Sequence, residues 1–589
     1  MKLLLRALFA AALMALAAVS ASAGEPPWVA KSNEDAKVLL QVLAKYSPEY
    51  ASRLGVDGFD EDITDLSRDQ FEPRERDTRA AMAELQRRLK SESDPKVKQD
   101  IDILIGAAQD NLTSRALDRK YFLPFVDVAQ MIYGVTQLML DPRIPKERQK
   151  TLLVRLEKYA GLARGYRPLT ELAKERTLER AKAAPGLLGP FKGEVEQTLS
   201  DEPTLLAGVK NLLVKSGLQG WEKSYAALET QLADYNAWVR ATILPRARAD
   251  HRLPAEVYAD NLHQYGVDIL PEEMIARALT SFSEIRNQMN ITAGLVARER
   301  GFPDPDYRAV LKRLRAQQIP KDEVMPLYEK RLGQIEEVIR SERIVTLPAR
   351  KAVIRLATEA ENAQVPAPHM NPPRLIGNTG EYGEFVLTTG MPPDATGKHL
   401  PIDDFTHQAA TWTLIAHEAR PGHELQFAKM IETGVSTARA VFAFNSVNVE
   451  GWALYAEAEL QPYEPPDGQL IALQHRMLRA ARAFLDPMVN LGQVTPEGVK
   501  SFLMDEVGFS EGMATQEMQR YTFRSPGQAT SYFYGYQRLM ETREAAEVAL
   551  RGKFDRQAFN DFVLAQGLVP PRLLRKAVME EFVPARLAR

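Results

Sequence analysis

Four residues in the last third of the chain have the types and spacing of a metal-dependent hydrolase. His417, Glu418 and His423 lie within seven residues of one another, and Glu450 follows 27 positions after His423. A catalytic zinc ion takes three protein ligands and keeps one position open for water. We therefore predict that His417, His423 and Glu450 bind one Zn²⁺ per chain and that Glu418 acts as the general base.

The spacing of the two histidines differs from the usual zinc-peptidase helix. That helix places two histidines four residues apart, so that both rings face one ion. A spacing of six puts the rings about 120° apart around an ideal helix and about 9 Å apart along it. Pro421 and Gly422 lie between His417 and His423, and both residues favour a break in the helix. We predict that this break brings His423 back beside His417.

The helix that carries the first histidine is expected to begin at a pair of acidic residues. Asp403 and Asp404 are favourable N-cap residues, and apolar side chains recur at spacings of three and four up to Ala416. This pattern predicts an amphipathic helix from Asp403 that ends with His417 and Glu418. The predicted helix break follows directly.

A second helix is expected to begin near Asn448 and to supply the third ligand. Glu450 and Glu457 are seven residues apart and share one face of this helix. Glu457 is therefore a candidate for a residue that orients a ligating histidine. The alternative interpretation is a solvated charge on the surface of the helix.

Glu424 is a second candidate for the general base. It follows His423 just as Glu418 follows His417. We prefer Glu418, because the residue after the second histidine is expected to point away from the metal.

The composition of the chain excludes several other kinds of site. The 589 residues are 45% hydrophobic and 26% charged, with a formal net charge of -3, so no excess of positive charge suggests a nucleic-acid partner. The sequence contains no cysteine, which excludes thiolate-bound zinc, cysteine nucleophiles and iron–sulfur clusters. A catalytic metal must therefore be held by histidine and carboxylate groups, and the chain has 8 histidines.

The N-terminus has the pattern of a secretory signal peptide over residues 1–23. Lys2 and Arg6 precede an apolar run from Ala7 to Val19, and small residues follow up to Ala23. We expect cleavage near Ala23 and a periplasmic or secreted protein that does not contact the membrane after cleavage. The alternative is that the segment is retained as a membrane anchor. Because no cysteine follows the apolar run, an anchor formed by a lipid on cysteine is excluded.

The rest of the sequence predicts a mainly α-helical fold. We divide it into an N-terminal helical region, residues 24–250, and a catalytic region, residues 251–589, within one continuous fold. Strand character appears at Ile344–Leu347, Ala352–Leu356 and Gly383–Thr389, with a proline-rich irregular loop before the last of these. One small β-sheet is therefore expected next to the helix that carries His417.

Three sequence blocks resemble a large bacterial family known as domain of unknown function 885. The blocks are His417-Glu418-Ala419-x-Pro421-Gly422-His423-x-Leu425-Gln426, Glu450-Gly451-Trp452-Ala453-Leu454-Tyr455-x-Glu457 and Pro526-Gly527-Gln528-Ala529-x-Ser531-Tyr532-x-x-Gly535. The family is similar to His-Glu zinc peptidases with a glutamate as third ligand. The resemblance implies a large α-helical, metallopeptidase-like fold with a deep cleft.

The resemblance also implies an edge strand beside the metal that pairs with the backbone of a peptide substrate. Gly383–Thr389 is the candidate for this strand, with Gly383 and Phe385 as substrate-binding residues. The alternative is an internal strand of the sheet.

By the same resemblance, the third block supplies a hydrogen-bond donor to the oxyanion of the reaction. Tyr532 is the first candidate, and Tyr534 and Tyr536 are the others. The alternative is that all three tyrosines are aromatic residues of the core. Arg520 and Arg524 are candidates to meet a substrate carboxylate, although the family is not expected to have an arginine at position 524. Asn490 stands where the family commonly has histidine, which implies a changed rate or specificity if that histidine acts on the transition state.

Taken together, these patterns predict an exported zinc peptidase that hydrolyses short peptides. One alternative is a zinc amidase or another acyl hydrolase that acts on non-peptide or cell-wall amides. Another is an exported helical binding protein without catalytic activity. The sequence does not indicate an oligomeric state.

Overall fold

The structure is a computed structural model that describes residues 26–365, 367–388 and 400–588. The predicted signal peptide, residues 1–23, lies outside the described residues, as do Thr389 and the lone histidine His399. The described chain is mainly α-helical with one small β-sheet, as predicted.

The N-terminal part consists of helices joined by loops. Its nine α-helices are α1 (Pro27–Tyr46), α2 (Pro48–Leu54), α3 (Phe71–Ser91), α4 (Pro95–Tyr121), α5 (Val128–Met139), α6 (Lys146–Tyr159), α7 (Leu169–Ala183), α8 (Lys192–Ser216) and α9 (Glu222–Trp238). Aspartates begin two of them: the carboxylate of Asp94 accepts from the backbone N–H groups of Lys96 and Val97 in α4, and that of Asp127 accepts from the backbone N–H of Gln130 in α5.

The middle of the chain contains four helices, the sheet and one further short helix. These elements are α10 (Ala255–Gln264), α11 (Pro271–Arg300), α12 (Tyr307–Arg315), α13 (Val324–Ser341), β1 (Val353–Leu356), α14 (Glu359–Gln364), β2 (His369–Asn371) and β3 (Glu384–Leu387).

The C-terminal part is again helical. Its elements are α15 (Ala410–Glu418), α16 (His423–Thr433), α17 (Ser446–Leu460), α18 (Pro466–Asn490), α19 (Pro496–Phe502), α20 (Glu511–Gln519), α21 (Thr530–Leu550), α22 (Arg556–Ala565), α23 (Pro571–Ala577) and α24 (Val583–Leu587). A π-helical turn, Arg520–Arg524, continues directly from α20.

The strand order of the sheet is β1-β3-β2, with β3 parallel to β1 and antiparallel to β2. Because β3 has a partner on each side, the prediction of an edge strand at Gly383–Thr389 was wrong, and the alternative, an internal strand, is what the structure shows. The structure also adds β2, which lies within the segment predicted to be an irregular loop. Alternation of side chains indicates a strand but does not encode the order of strands in a sheet.

Two further predictions differ from the structure, because groups from distant parts of the chain bind the two segments concerned. Ile344–Leu347 is not a strand, since Asn560 donates to the Ile344 carbonyl and the backbone N–H of Thr346 donates to Asp561. The helix expected from Asp403 begins at Ala410, because the Asp404 carboxylate instead accepts from the Ser510 backbone N–H (2.9 Å).

The buried apolar residues form separate clusters. The largest contains buried residues from 258 to 583 and surrounds α11, α15, α17, α18 and α21, while a second contains residues 128–243 with two alanines of α14. A third joins α1, α3 and α4 to Ala438. Beside it, the buried Asp100 carboxylate accepts from Ser32, Ser436 and Arg439, so the N-terminal helices are tied to the C-terminal part.

Among residues 26–365, 367–388 and 400–588, no helix is both long enough and apolar enough to cross a membrane. The deep cleft that the family resemblance implies stays a prediction.

Candidate metal centre

The predicted helix break between the two histidines is confirmed. Helix α15 ends at Glu418 and α16 begins at His423, with backbone angles of φ -106° and ψ -97° at Ala419 and φ -76° and ψ -133° at Gly422. The two imidazole rings lie 4.8 Å apart between centroids, at an interplanar angle of 79°. The break thus places side by side two rings that a continuous helix would separate.

Gly422 is required by the close approach of the chain to itself at this break. A Cβ atom at this position would lie 1.9 Å from the carbonyl oxygen of His417 and 2.4 Å from that of Ala416. No other amino acid fits without a shift of the backbone. The indole Nε1 of Trp452 on α17 donates to the Pro421 carbonyl (3.0 Å), which holds the turn against the helix of the third candidate ligand.

Glu450 on α17 completes a group of three possible ligands. Its Oε2 atom lies 3.3 Å from His423 Nε2 and 3.6 Å from His417 Nε2, and the ligand atoms of the three residues all lie within 4.8 Å of one another. Ligand atoms about 2.0–2.1 Å from a tetrahedral ion stand about 3.3 Å apart. Glu450 Oε2 is buried and has no hydrogen-bond partner among the described residues, so the donor set fits a metal ion.

Glu457 holds the His417 ring in place from the side opposite Glu450. Its Oε1 atom lies 2.6 Å from His417 Nδ1, and its Oε2 atom accepts from Thr413 (2.8 Å). Arg479 donates to the same carboxylate (3.1 Å). Burial acts to raise the pKa of Glu457, but Arg479 and His417 lower it to about 2. The carboxylate therefore keeps a proton on His417 Nδ1 and directs Nε2 toward Glu450.

The two candidate bases lie in different surroundings. Glu418 Oε1 lies 3.9 Å from His417 Nε2, and burial raises the pKa of Glu418 to about 7. Glu424 is buried and accepts from Arg420 Nε (2.8 Å). Only Glu418 is close to the ligand atoms, which agrees with the order of preference from the sequence.

Tyr532 lies next to the ligand group. Its ring is stacked on His417 with centroids 6.1 Å apart and an interplanar angle of 11°. Its hydroxyl accepts a hydrogen bond from Arg520 Nη2 (2.7 Å). Burial raises the pKa of Tyr532, so its own proton is available for donation at neutral pH.

Four other predicted site residues are not brought to the ligand group. Tyr534 bonds Asp268, and the Tyr536 ring lies 5.7 Å from the guanidinium of Arg476. Phe385 is fully buried against Tyr328, which contradicts its assignment to substrate binding. A Cβ atom on Gly383 would meet the Glu424 side chain at 3.0 Å. The role assigned to Gly383 in an edge strand was wrong, because β3 is the central strand.

The remaining candidates make local contacts. Arg524 donates to Gln519 (3.2 Å), and Asn490 donates to the carbonyls of Asp486 (2.9 Å) and Tyr521 (3.0 Å). The Asn490 amide group therefore joins α18 to the turn after α20.

Gln528 is a site residue that the sequence reasoning did not single out. Its Nε2 atom donates to Glu450 Oε1 (3.4 Å) and to Ser446 (2.9 Å), while its Oε1 atom accepts from Arg520 Nε (2.9 Å). The available signal was its position in the third sequence block, four residues before Tyr532. Arg479, Arg482 and Glu517 were also missed, and no motif marks them.

Comparisons with known proteins give a family and a fold. Residues 48–578 match the family described as "Bacterial protein of unknown function (DUF885)". No curated protein matches the chain significantly.

Two solved structures are similar over most of the chain. A candidate lipoprotein from Colwellia psychrerythraea is 18% identical, with a TM-score of 0.70, and the match covers 94% of this chain and 99% of that one. A candidate lipoprotein of unknown function from Shewanella oneidensis is 19% identical, with a TM-score of 0.67. The match covers 94% of this chain and 100% of the Shewanella chain. These likenesses show the fold alone.

A candidate oligoendopeptidase F from Bacillus anthracis str. Ames is 10% identical, and its match covers 87% of this chain and 96% of that one. Its TM-score of 0.26 is too low to support an argument about fold or function. The family match, in contrast, spans nearly the whole sequence, and the chain belongs to the DUF885 family of bacterial proteins of unknown function.

Proposed function

We propose that the chain is a zinc-dependent metallopeptidase that hydrolyses short peptides. The observation that carries this proposal is the convergence of His417, His423 and Glu450, whose ligand atoms lie within 4.8 Å of one another. Two imidazoles and one carboxylate are a known ligand set of catalytic zinc. The arrangement of Glu418, outside this set but beside it, supports a catalytic rather than a purely structural metal.

The chain's own residues have separable roles in this proposal. Zinc, when bound, supplies a Lewis acid that polarises a carbonyl group and lowers the pKa of water. Glu418 takes the proton from the attacking water and returns it to the amine as the C–N bond breaks. Tyr532 donates a hydrogen bond to the oxygen that becomes negative during the attack. Glu457 is a positioning residue that fixes the His417 ring.

Export also belongs to this proposal. The N-terminal sequence has the pattern of a signal peptide, and a periplasmic or secreted location would give the site access to peptides outside the cytoplasm.

The chain provides its own matched control for the general base. Glu418→Gln and Glu424→Gln make the same change in two neighbouring His-Glu pairs. We expect Glu418→Gln to keep one zinc per chain and to lower kcat on a random pool of short peptides about 10²–10⁴-fold. Glu424→Gln is expected to change kcat less than about threefold, because Glu424 binds Arg420 instead.

The measurement is mass spectrometry of the cleaved peptide pool together with metal analysis of each variant. Full activity in a metal-free preparation, or equal losses in the two variants, would contradict the proposal.

A further inference from the structure

Three guanidinium groups surround Tyr532, the residue stacked on His417. The Cζ atoms of Arg482, Arg520 and Arg479 lie 4.4, 5.2 and 5.7 Å from the centre of the Tyr532 ring. Like charges this close in a buried place need carboxylates to compensate them. The partners of each arginine therefore show where positive charge is left over.

Two of these arginines have a carboxylate of their own. Arg482 binds Glu517 through two hydrogen bonds (2.7 and 2.6 Å), and Arg479 binds Glu457 (3.1 Å). The Glu517 carboxylate also accepts from Tyr521 (2.7 Å). Each of these two carboxylates is therefore bound by an arginine other than Arg520.

Arg520 makes its hydrogen bonds to neutral groups instead. It donates to the amide oxygen of Gln528 (2.9 Å) and to the hydroxyl of Tyr532 (2.7 Å). Its nearest carboxylate oxygen belongs to Glu517 at 3.5 Å, and that carboxylate is already bound by Arg482. Arg520 therefore has no carboxylate of its own, and Glu517 and Glu450 offset its charge only from a longer distance.

Arg520 is also the most accessible of the three. Its side chain is 16% exposed, compared with 5% for Arg482 and 6% for Arg479. Among the candidate ligands, Glu450 has the most exposed side chain, at 13%. Arg520 and the candidate ligand Glu450, which Gln528 connects through hydrogen bonds, are thus both partly exposed.

One intervening side chain connects Arg520 to a candidate metal ligand. Gln528 bonds both Arg520 and Glu450, and Tyr532 bonds Arg520 while its ring is stacked on His417. One residue of an extended peptide spans about 3.3–3.6 Å. Arg520 and the candidate ligands are therefore close enough for one short peptide to reach both.

We propose that Arg520 binds the free α-carboxylate at the end of a peptide substrate, so that the site removes residues from the carboxyl end. Arginine is suited to this role because a guanidinium donates charge-assisted hydrogen bonds to a carboxylate. The Nε and Nη2 atoms of Arg520 already donate to Gln528 and Tyr532, so Nη1 is the nitrogen that would bind the substrate. This inference rests on the proposed peptidase function and adds the substrate class to it. A side-chain carboxylate of the peptide has the same chemistry, and the experiment separates the two sources.

The test compares the binding of three probes by calorimetry to the zinc-loaded Glu418→Gln protein, which does not consume them. The probes are N-acetyl-trialanine as the free acid, its C-terminal amide, and the amide with glutamate in place of the last alanine. We expect the free acid to bind about 10–100-fold more tightly than either amide, as a charged hydrogen bond would give.

Two double variants locate the effect. Adding Arg520→Met to Glu418→Gln is expected to abolish the preference for the free acid. Adding Arg524→Met removes the same charge four residues away, where the side chain bonds Gln519, and is expected to keep the preference. The comparison of acid with amide in the protein that retains Arg520 does not depend on the folding of these variants.

Cleavage of the free acid and its amide by the wild-type protein, followed by mass spectrometry, separates this inference from the proposed function. Equal binding and cleavage of the two peptides would overturn the role of Arg520 and leave the peptidase function standing. Preferential binding of the acid without any cleavage would support the role of Arg520 and overturn the peptidase function. Tighter binding of the glutamate-containing amide would overturn the assignment to the α-carboxylate.

Discussion

Two helices of equal length, α8 and α18, use burial in opposite ways. Each contains 25 residues. Helix α8 buries six of its residues, all apolar or glycine, and its other residues are exposed or half-buried. Helix α18 buries 21, and these include His475, Arg479, Arg482, Asp486 and Asn490.

The difference follows from what surrounds each helix. Helix α8 packs on one side against α5 and α14, so one apolar stripe is sufficient. Helix α18 contacts α11, α15 and α21 and has no face left for water. Its charged groups must therefore find partners inside the protein. Two of those partners, Glu457 and Glu517, belong to the surroundings of the candidate metal centre. In this chain, therefore, the charged groups of the fully buried helix are bound to residues around the candidate metal centre.

The largest effect on stability is expected from a charge on α18. Arg482→Met removes the two hydrogen bonds that Arg482 donates to the fully buried Glu517, and should lower the free energy of unfolding by about 3–5 kcal/mol. Denaturant unfolding measures this loss. A loss below about 1 kcal/mol would mean that the polar groups of α18 are not coupled to their partners.

A smaller effect is expected when the support of His417 is removed without altering its shape. Glu457→Gln takes away the charge that holds His417 Nδ1, so zinc affinity should fall about 10–100-fold. Competition with a chelator measures the affinity. Unchanged affinity would show that Glu457 stabilises Arg479 only and does not act on the candidate metal centre.

The smallest effect is expected on the outer face of α8. Lys215 is exposed, and Lys215→Met should change the free energy of unfolding by less than about 0.5 kcal/mol. The same denaturant series used for Arg482→Met provides the comparison. A loss larger than about 1.5 kcal/mol would show that the comparison between the two helices is wrong.

The sequence was sufficient where the determining contacts are local. Pro421 and Gly422 lie between the histidines that they bring together, and Glu450 and Glu457 share one helix, so spacing alone predicted the break and the shared face. The mainly α-helical fold was also predicted, because helical periodicity is present in most of the chain.

The sequence was not sufficient where contacts come from distant elements. Gln528 reaches Glu450 from the loop before α21, and Arg479 reaches Glu457 from α18, and neither pairing has a spacing that could be read along the chain. The position of β3 at the centre of the sheet depends on β2, a strand of three residues hidden in a proline-rich segment. Likewise, Asp404 has the type of an N-cap residue but is bound by Ser510.

The most direct test of the central claim is the zinc content and zinc affinity of the wild-type protein beside His423→Ala. An exposed histidine, His263, provides the control His263→Ala. We predict about one zinc per wild-type and control chain, and an affinity at least about 100-fold weaker in His423→Ala, because only two of the three ligands remain. Equal affinity in all three proteins, or no zinc bound by the wild type, would contradict the account.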